Sequence, residues 1–70
     1  MPAKYTAVIQ RDGKWWLGWI EEIPGVNAQE RTRNQLLASL RSALEEALEM
    51  NRAEARSAAN DAYEEVTIQV

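Results

Sequence analysis

The stretch Arg11-Asp12-Gly13-Lys14-Trp15-Trp16-Leu17-Gly18-Trp19-Ile20-Glu21-Glu22-Ile23-Pro24-Gly25 decides the fold. Asp12-Gly13 tolerates positive φ at the two central positions of a tight hairpin turn, and strand-forming residues stand on both sides of it. Side chains of a strand alternate between faces. Trp15, Leu17, Trp19 and Glu21 therefore share one face, and Trp16, Gly18, Ile20 and Glu22 the other. Both faces begin apolar and end acidic, the pattern of a strand covered on two sides at its start. Gly18 weakens a strand interior and marks a bulge or the close approach of another backbone. Pro24-Gly25 ends the strand in a turn.

Working outward, Tyr5-Thr6-Ala7-Val8-Ile9-Gln10 is the first arm of the hairpin, with Tyr5, Ala7 and Ile9 on one face. On the other side, Val26 to Arg31 reads as a short third strand, polar enough for a sheet edge. Thr32-Arg33-Asn34-Gln35 fits a capping box. After it, Leu36, Leu37, Leu40, Ala43, Leu44, Ala47 and Leu48 recur at helical spacing, giving a helix from about Arg33 to Asn51. The Ala-rich run Ala53 to Ala59 extends helix propensity to a stop near Asn60-Asp61. Val66, Ile68 and Val70 alternate with Glu65, Thr67 and Gln69, which reads as a closing strand in need of an open sheet edge. The expected order is β-β-β-α-β. The fold class is α+β, a small, mostly antiparallel sheet with one long helix on one face. No linker or repeat divides the chain, so residues 1–70 are read as one domain.

Composition bounds the rest. Apolar residues make up 46% of the 70, or 32 side chains, but 11 of these are Ala, leaving 21 larger ones for a core. So small a core is marginal without reinforcement. There is no Cys and no His, which removes disulfides and the usual zinc ligands together. Self-association is the remaining route, and a homodimer or higher homo-oligomer is expected. A net charge of −3 disfavours direct nucleic-acid binding and suits a basic partner. No apolar run is long enough to span a membrane, and Met1-Pro2-Ala3-Lys4-Tyr5 does not resemble a signal peptide, so a cytoplasmic location is expected.

Catalysis finds few role-players. Without His, nothing activates Ser39, Ser42 or Ser57. Glu45, Glu46 and Glu49 fit the solvated side of a helix, and Asp12 and Asp61 fall in turns. Glu21 and Glu22 point to opposite faces, which suits neither a general acid–base pair nor a magnesium site. No catalytic residue, metal site or cofactor is expected. The three Trp within five positions remain. One helix cannot cover both faces of the sheet, so the face carrying Trp15 and Trp19 is open to three readings: ordinary core packing, a binding interface, or stacking on single-stranded nucleic acid, the last needing a positive groove that the acidic balance disfavours.

These segments together carry a resemblance. Tyr5-Thr6-Ala7-Val8-Ile9, Asp12-Gly13, the run Gly18-Trp19-Ile20-Glu21-Glu22-Ile23-Pro24-Gly25-Val26 and the stripe Leu36 to Leu48 after Thr32 resemble the HicB-type antitoxin domain. Glu45-Glu46-Ala47-Leu48 matches the Glu-Ala step of the family's helix. The match spans about Tyr5 to Asn51, and Val66 to Val70 is compatible with it. Glu30-Arg31-Thr32 departs from the Gly that often precedes the family's acidic residue and Thr. The resemblance implies a partial ribonuclease-H-like fold without catalytic carboxylates. It also implies the antitoxin role in a type II toxin–antitoxin system, neutralising a small basic RNA-cleaving HicA-type toxin by covering its active surface. The DNA-binding domain that many members add is not expected here. Trp15, Trp16, Trp19, Glu21, Glu22, Glu64 and Glu65 are the residues expected at the partner surface. The alternative is a stand-alone regulatory or structural oligomer of the same fold without a toxin partner.

Overall fold

The structure, a computed structural model, describes residues 4–59 and 62–70. Three strands and one helix follow one another along the chain: β1 (Ala7–Asp12), β2 (Trp15–Ile20), β3 (Asn27–Glu30) and α1 (Arg33–Ser57). The sheet is antiparallel throughout, in the order β1-β2-β3, so the tryptophan strand lies in the middle. An α+β architecture, with a small antiparallel sheet and one long helix, is what the alternation and the leucine stripe predict.

The hairpin turn sits one residue later than expected. Asp12 pairs with Trp15, which leaves Gly13 and Lys14 as the two central residues. Gly13 alone has positive φ, at 61°. This is the type II′ pattern, in which only the first central position needs glycine. At the other end of β2, the Val26 N–H donates to the Ile23 carbonyl across Pro24-Gly25 at 3.5 Å, and the Ile20 N–H donates to the Val26 carbonyl at 3.1 Å.

Register puts Ala7, Ile9 and Arg11 of β1 opposite Ile20, Gly18 and Trp16 of β2, all on the helix side. Ala28 and Glu30 of β3 complete that face. The helix is capped by Thr32, whose Oγ1 accepts from the Gln35 N–H at 3.1 Å. It crosses β2 and β3. Leu36 and Leu40 are fully enclosed and, with Ile20 and Val26, form the core, to which Tyr5, Ala7, Ile9, Trp16, Ile23, Ala28, Ala43, Leu44 and Ala47 add partial cover. Gly18 marks a close approach, of side chains and not of a backbone. A Cβ there would lie 2.8 Å from Leu40 Cδ1 and 3.2 Å from Leu36 Cδ2. Glycine at this position lets both leucines reach the sheet.

The closing strand expected over Val66–Val70 is not formed. Described residues 62–70 pair with no strand, and Val66, Ile68 and Val70 are exposed to 69%, 83% and 126%. The order is therefore β-β-β-α across the described residues. Strand propensity alone fixes no strand; the segment needs an edge to bond to, and it meets none here. The helix runs further than Asn51, ending at Ser57 with Ala58 as its cap. Asn60 and Asp61, the expected stop, lie outside the described residues.

Replacing Gly18 by Ala tests the packing. Leu36 and Leu40 are 0% and 2% exposed and have little room to yield. Gly18→Ala is expected to lower unfolding free energy by about 1–3 kcal/mol through overpacking. Urea denaturation followed by tryptophan fluorescence measures it.

Candidate interface on the open sheet face

The side of the sheet away from the helix has no covering layer among the described residues. Three cross-strand rows make it up. Val8, Trp19 and Asn27 form the first, Gln10, Leu17 and Gln29 the second, and Asp12 and Trp15 the third, with Arg31 beyond the end of β3. Trp15 and Trp19 are 38% and 41% exposed, while Val8 and Leu17 are half-buried between them and their neighbours. The Arg31 guanidinium carbon stands 4.6 Å from the centre of the Trp15 ring, a cation–π distance. Two indole faces, two aliphatic side chains and a border of amides thus share one plane. Such a surface can bury apolar area and still satisfy hydrogen bonds at its rim.

The seven residues expected at a partner surface fall into separate places. Trp15 and Trp19 share the open face. Trp16 lies on the helix side, half-buried against the core, with Arg11 stacked over its ring at 5.7 Å. Glu21 and Glu22 are exposed in the bend that follows β2. There the Glu21 N–H donates to the Thr6 carbonyl at 2.9 Å, and Glu22 Oε1 accepts from the Thr6 N–H at 2.8 Å. Glu64 and Glu65 lie beside the end of the helix, in a shallow cleft with Arg52, Ala55, Arg56, Ala59 and Tyr63. Glu65 Oε1 is 3.3 Å from Arg56 Nε. The expected carboxylates therefore do not join the indoles in one patch. Val8, Leu17, Gln29 and Arg31, which do join them, were missed. The signal was available for Val8 and Leu17, because each alternates in phase with a tryptophan once the Asp12–Trp15 pair is fixed.

The described residues contain no group of three or more carboxylates that could hold a metal ion. No described helix is long and apolar enough to cross a membrane. The Glu22 carboxyl is held below its ordinary value, chiefly by the hydrogen bond it accepts from the backbone N–H of Thr6. Glu30 has a structural partner instead: its Oε2 accepts from Ser39 Oγ at 2.7 Å, tying β3 to the helix.

The Glu22 bond gives a pH prediction. A carboxylate whose pKa is depressed by folding adds stability that is present above its unfolded value. That contribution fades as pH falls from the ordinary 4.5 through the lower folded value. Glu22→Gln is expected to flatten the loss of stability on acidification below that point, with little change near neutrality. Denaturation midpoints measured across the acid range read the difference between the two proteins.

Compared with known proteins, the chain matches no family model, no curated protein and no solved structure.

Proposed function

We propose that this chain is a non-catalytic binding module, an antitoxin-like domain of the HicB type with a partial ribonuclease-H-like fold. Its target is a small, basic, RNA-cleaving HicA-type toxin, whose active surface it covers. The observation that carries the reading is the open indole face: Trp15 and Trp19 stand exposed in the middle of the sheet of a chain with net charge −3. Aromatic side chains on a rigid strand are efficient anchors, because little conformational freedom is lost when they are covered. The acidic balance complements a surface built to hold RNA, raising the rate of encounter and disfavouring acidic competitors. Exposed Glu21 and Glu22, in the bend after β2 and outside the indole patch, add to the negative field of the chain and not to the patch itself. The three-stranded sheet, the Thr32 cap and the Leu36-to-Leu48 stripe support the family reading.

The direct test is to read the adjacent genes and to co-express the chain with a small basic protein encoded there; a neighbourhood that encodes none counts against the reading. The pair is expected to co-purify, and the purified chain to suppress the neighbour's RNA cleavage in proportion to occupancy. Trp19→Ala is expected to weaken the complex about tenfold or more, while its far-ultraviolet circular dichroism stays unchanged. Absence of binding at micromolar concentration, or undiminished affinity in the variant, overturns the assignment.

A further inference from the structure

The three indoles of β2 are not placed alike. The Arg11 guanidinium carbon stands 5.7 Å from the centre of the Trp16 ring, and that of Arg31 stands 4.6 Å from the centre of Trp15. Trp19 is as open as Trp15, at 41% against 38%. Among the described residues no cation stands over it. Its cross-strand neighbours are Val8 and Asn27, an aliphatic side chain and an amide, and neither carries charge. The face of an indole is electron-rich and attracts a cation that lies over it. Two of the three rings in this strand already hold one.

Charge is divided along the same strand. At the hairpin end, Arg11, Lys14, Arg31 and Arg33 are all exposed. Asp12 and Glu30 are the carboxylates there, and Glu30 is engaged by Ser39. At the other end, β2 runs into Glu21 and Glu22, both exposed in the bend beyond the indole patch. Thr6 is bonded to that bend, and Lys4 is the one cation of its segment among the described residues. The balance thus changes sign along β2, over about 20 Å. Trp15 lies at the positive end. Trp19 lies about 13 Å further along, at the negative end. A net charge of −3 draws a basic surface to the molecule as a whole, and this division decides where its cations settle. Over Trp15 an incoming cation meets Arg31 already in place and Lys14 in the adjoining turn. Over Trp19 it meets a vacant ring, with carboxylates beyond.

We propose that Trp19 accepts an arginine of the basic partner, stacked on its indole as Arg31 is stacked on Trp15. The inference rests on the binding-module reading above and adds to it the chemistry of one contact and an orientation. Arginine fits better than lysine, because its planar, weakly hydrated guanidinium lies flat on a ring and keeps N–H donors free at its edge. Asn27, next to Trp19 in the row, offers an amide oxygen to those donors. The partner is oriented by the same division of charge. Its most basic part lies at the Glu21–Glu22 end of β2, and its less basic part covers Trp15.

Trp19→Phe and Trp19→Leu separate the stack from simple burial, because the two side chains cover similar area and only phenylalanine has a π face. In the complex with the basic partner, affinity is expected to fall in the order Trp, Phe, Leu, with Leu about fivefold or more below Phe. The same two substitutions at Trp15, a ring already covered, are expected to bind alike. A complex in which Phe and Leu at position 19 bind alike overturns the stack and leaves the binding module standing. A second arm needs no partner. The full chain, labelled with nitrogen-15, is titrated at millimolar concentration with the peptide acetyl-Gly-Arg-Gly-Arg-Gly-amide and with its glutamate counterpart. The arginine peptide is expected to shift the Trp19 indole N–H signal more than that of Trp15, and the glutamate peptide to leave Trp19 in place. Equal shifts at the two rings, or none at Trp19, overturn the proposal even where a complex forms. Failure to form any complex overturns the binding-module reading instead, and the peptide arm then judges the stack by itself.

Discussion

Leu36 and Leu40 rest over the backbone of Gly18, and the architecture depends on that contact. The missing side chain at Gly18 lets two leucine ends come within what would be 2.8 and 3.2 Å of a Cβ. The helix is thereby drawn onto the central strand, and the small core of Ile20, Val26, Leu36 and Leu40 can close. Those four buried residues are few for a domain of any stability. The Thr32 cap and the Ser39–Glu30 bond add direction to the helix more than strength. They fix where it starts and which flank it turns to β3, and so which flank is left above β1.

Seating the helix on one face commits the other. β2 carries indoles in both directions, and the same register that sends Trp16 beneath the helix sends Trp15 and Trp19 outward. The outer face is not a failed core. Arg31 stacks on Trp15, amides flank Leu17, and the apolar centre is only partly exposed, a balance that keeps such a face soluble and still ready to be covered. Charge is distributed differently. The exposed ion pairs Arg41–Glu45 and Arg52–Glu49 lie along the helix and contribute little individually, so the acidic excess acts as a field and not as a set of fixed contacts.

Much of this was legible in the residues because the controlling signals are local. Alternation assigned the two faces of β2 and grouped Tyr5, Ala7 and Ile9 on one face, which pairing turns to the helix side. The Thr32 cap and the leucine spacing located the start of the helix. The turn at Gly13 was found but placed one residue early, because Gly13 can serve as the second central residue of a type I′ turn or the first of a type II′ turn, and only pairing chooses between them. Gly18 was legible as a close approach, though not as one made by leucine side chains across three elements. What failed was non-local. Val66 to Val70 reads as a strand by every local measure, yet a strand is a property of two segments, and the sequence does not say how far the helix will carry the second from the first. The scattering of Glu21, Glu22, Glu64 and Glu65 has the same origin: like charge suggests a common surface, whereas the length of α1 sets where each one stands.

The helix length also bears on the two unsatisfied surfaces of the sheet. Nine further helical residues, Glu49–Ser57, carry α1 about 13 Å past Leu48. The chain beyond it therefore leaves the helix well away from the core, and the outer side of β1 meets no strand among the described residues. That edge and the indole face make different demands. An edge is satisfied by backbone hydrogen bonds in the plane of the sheet. The face carrying Trp15 and Trp19 is satisfied by apolar area brought from above that plane. Covering one does not cover the other, so the register of β2 and the length of α1 leave two separate surfaces on one small sheet.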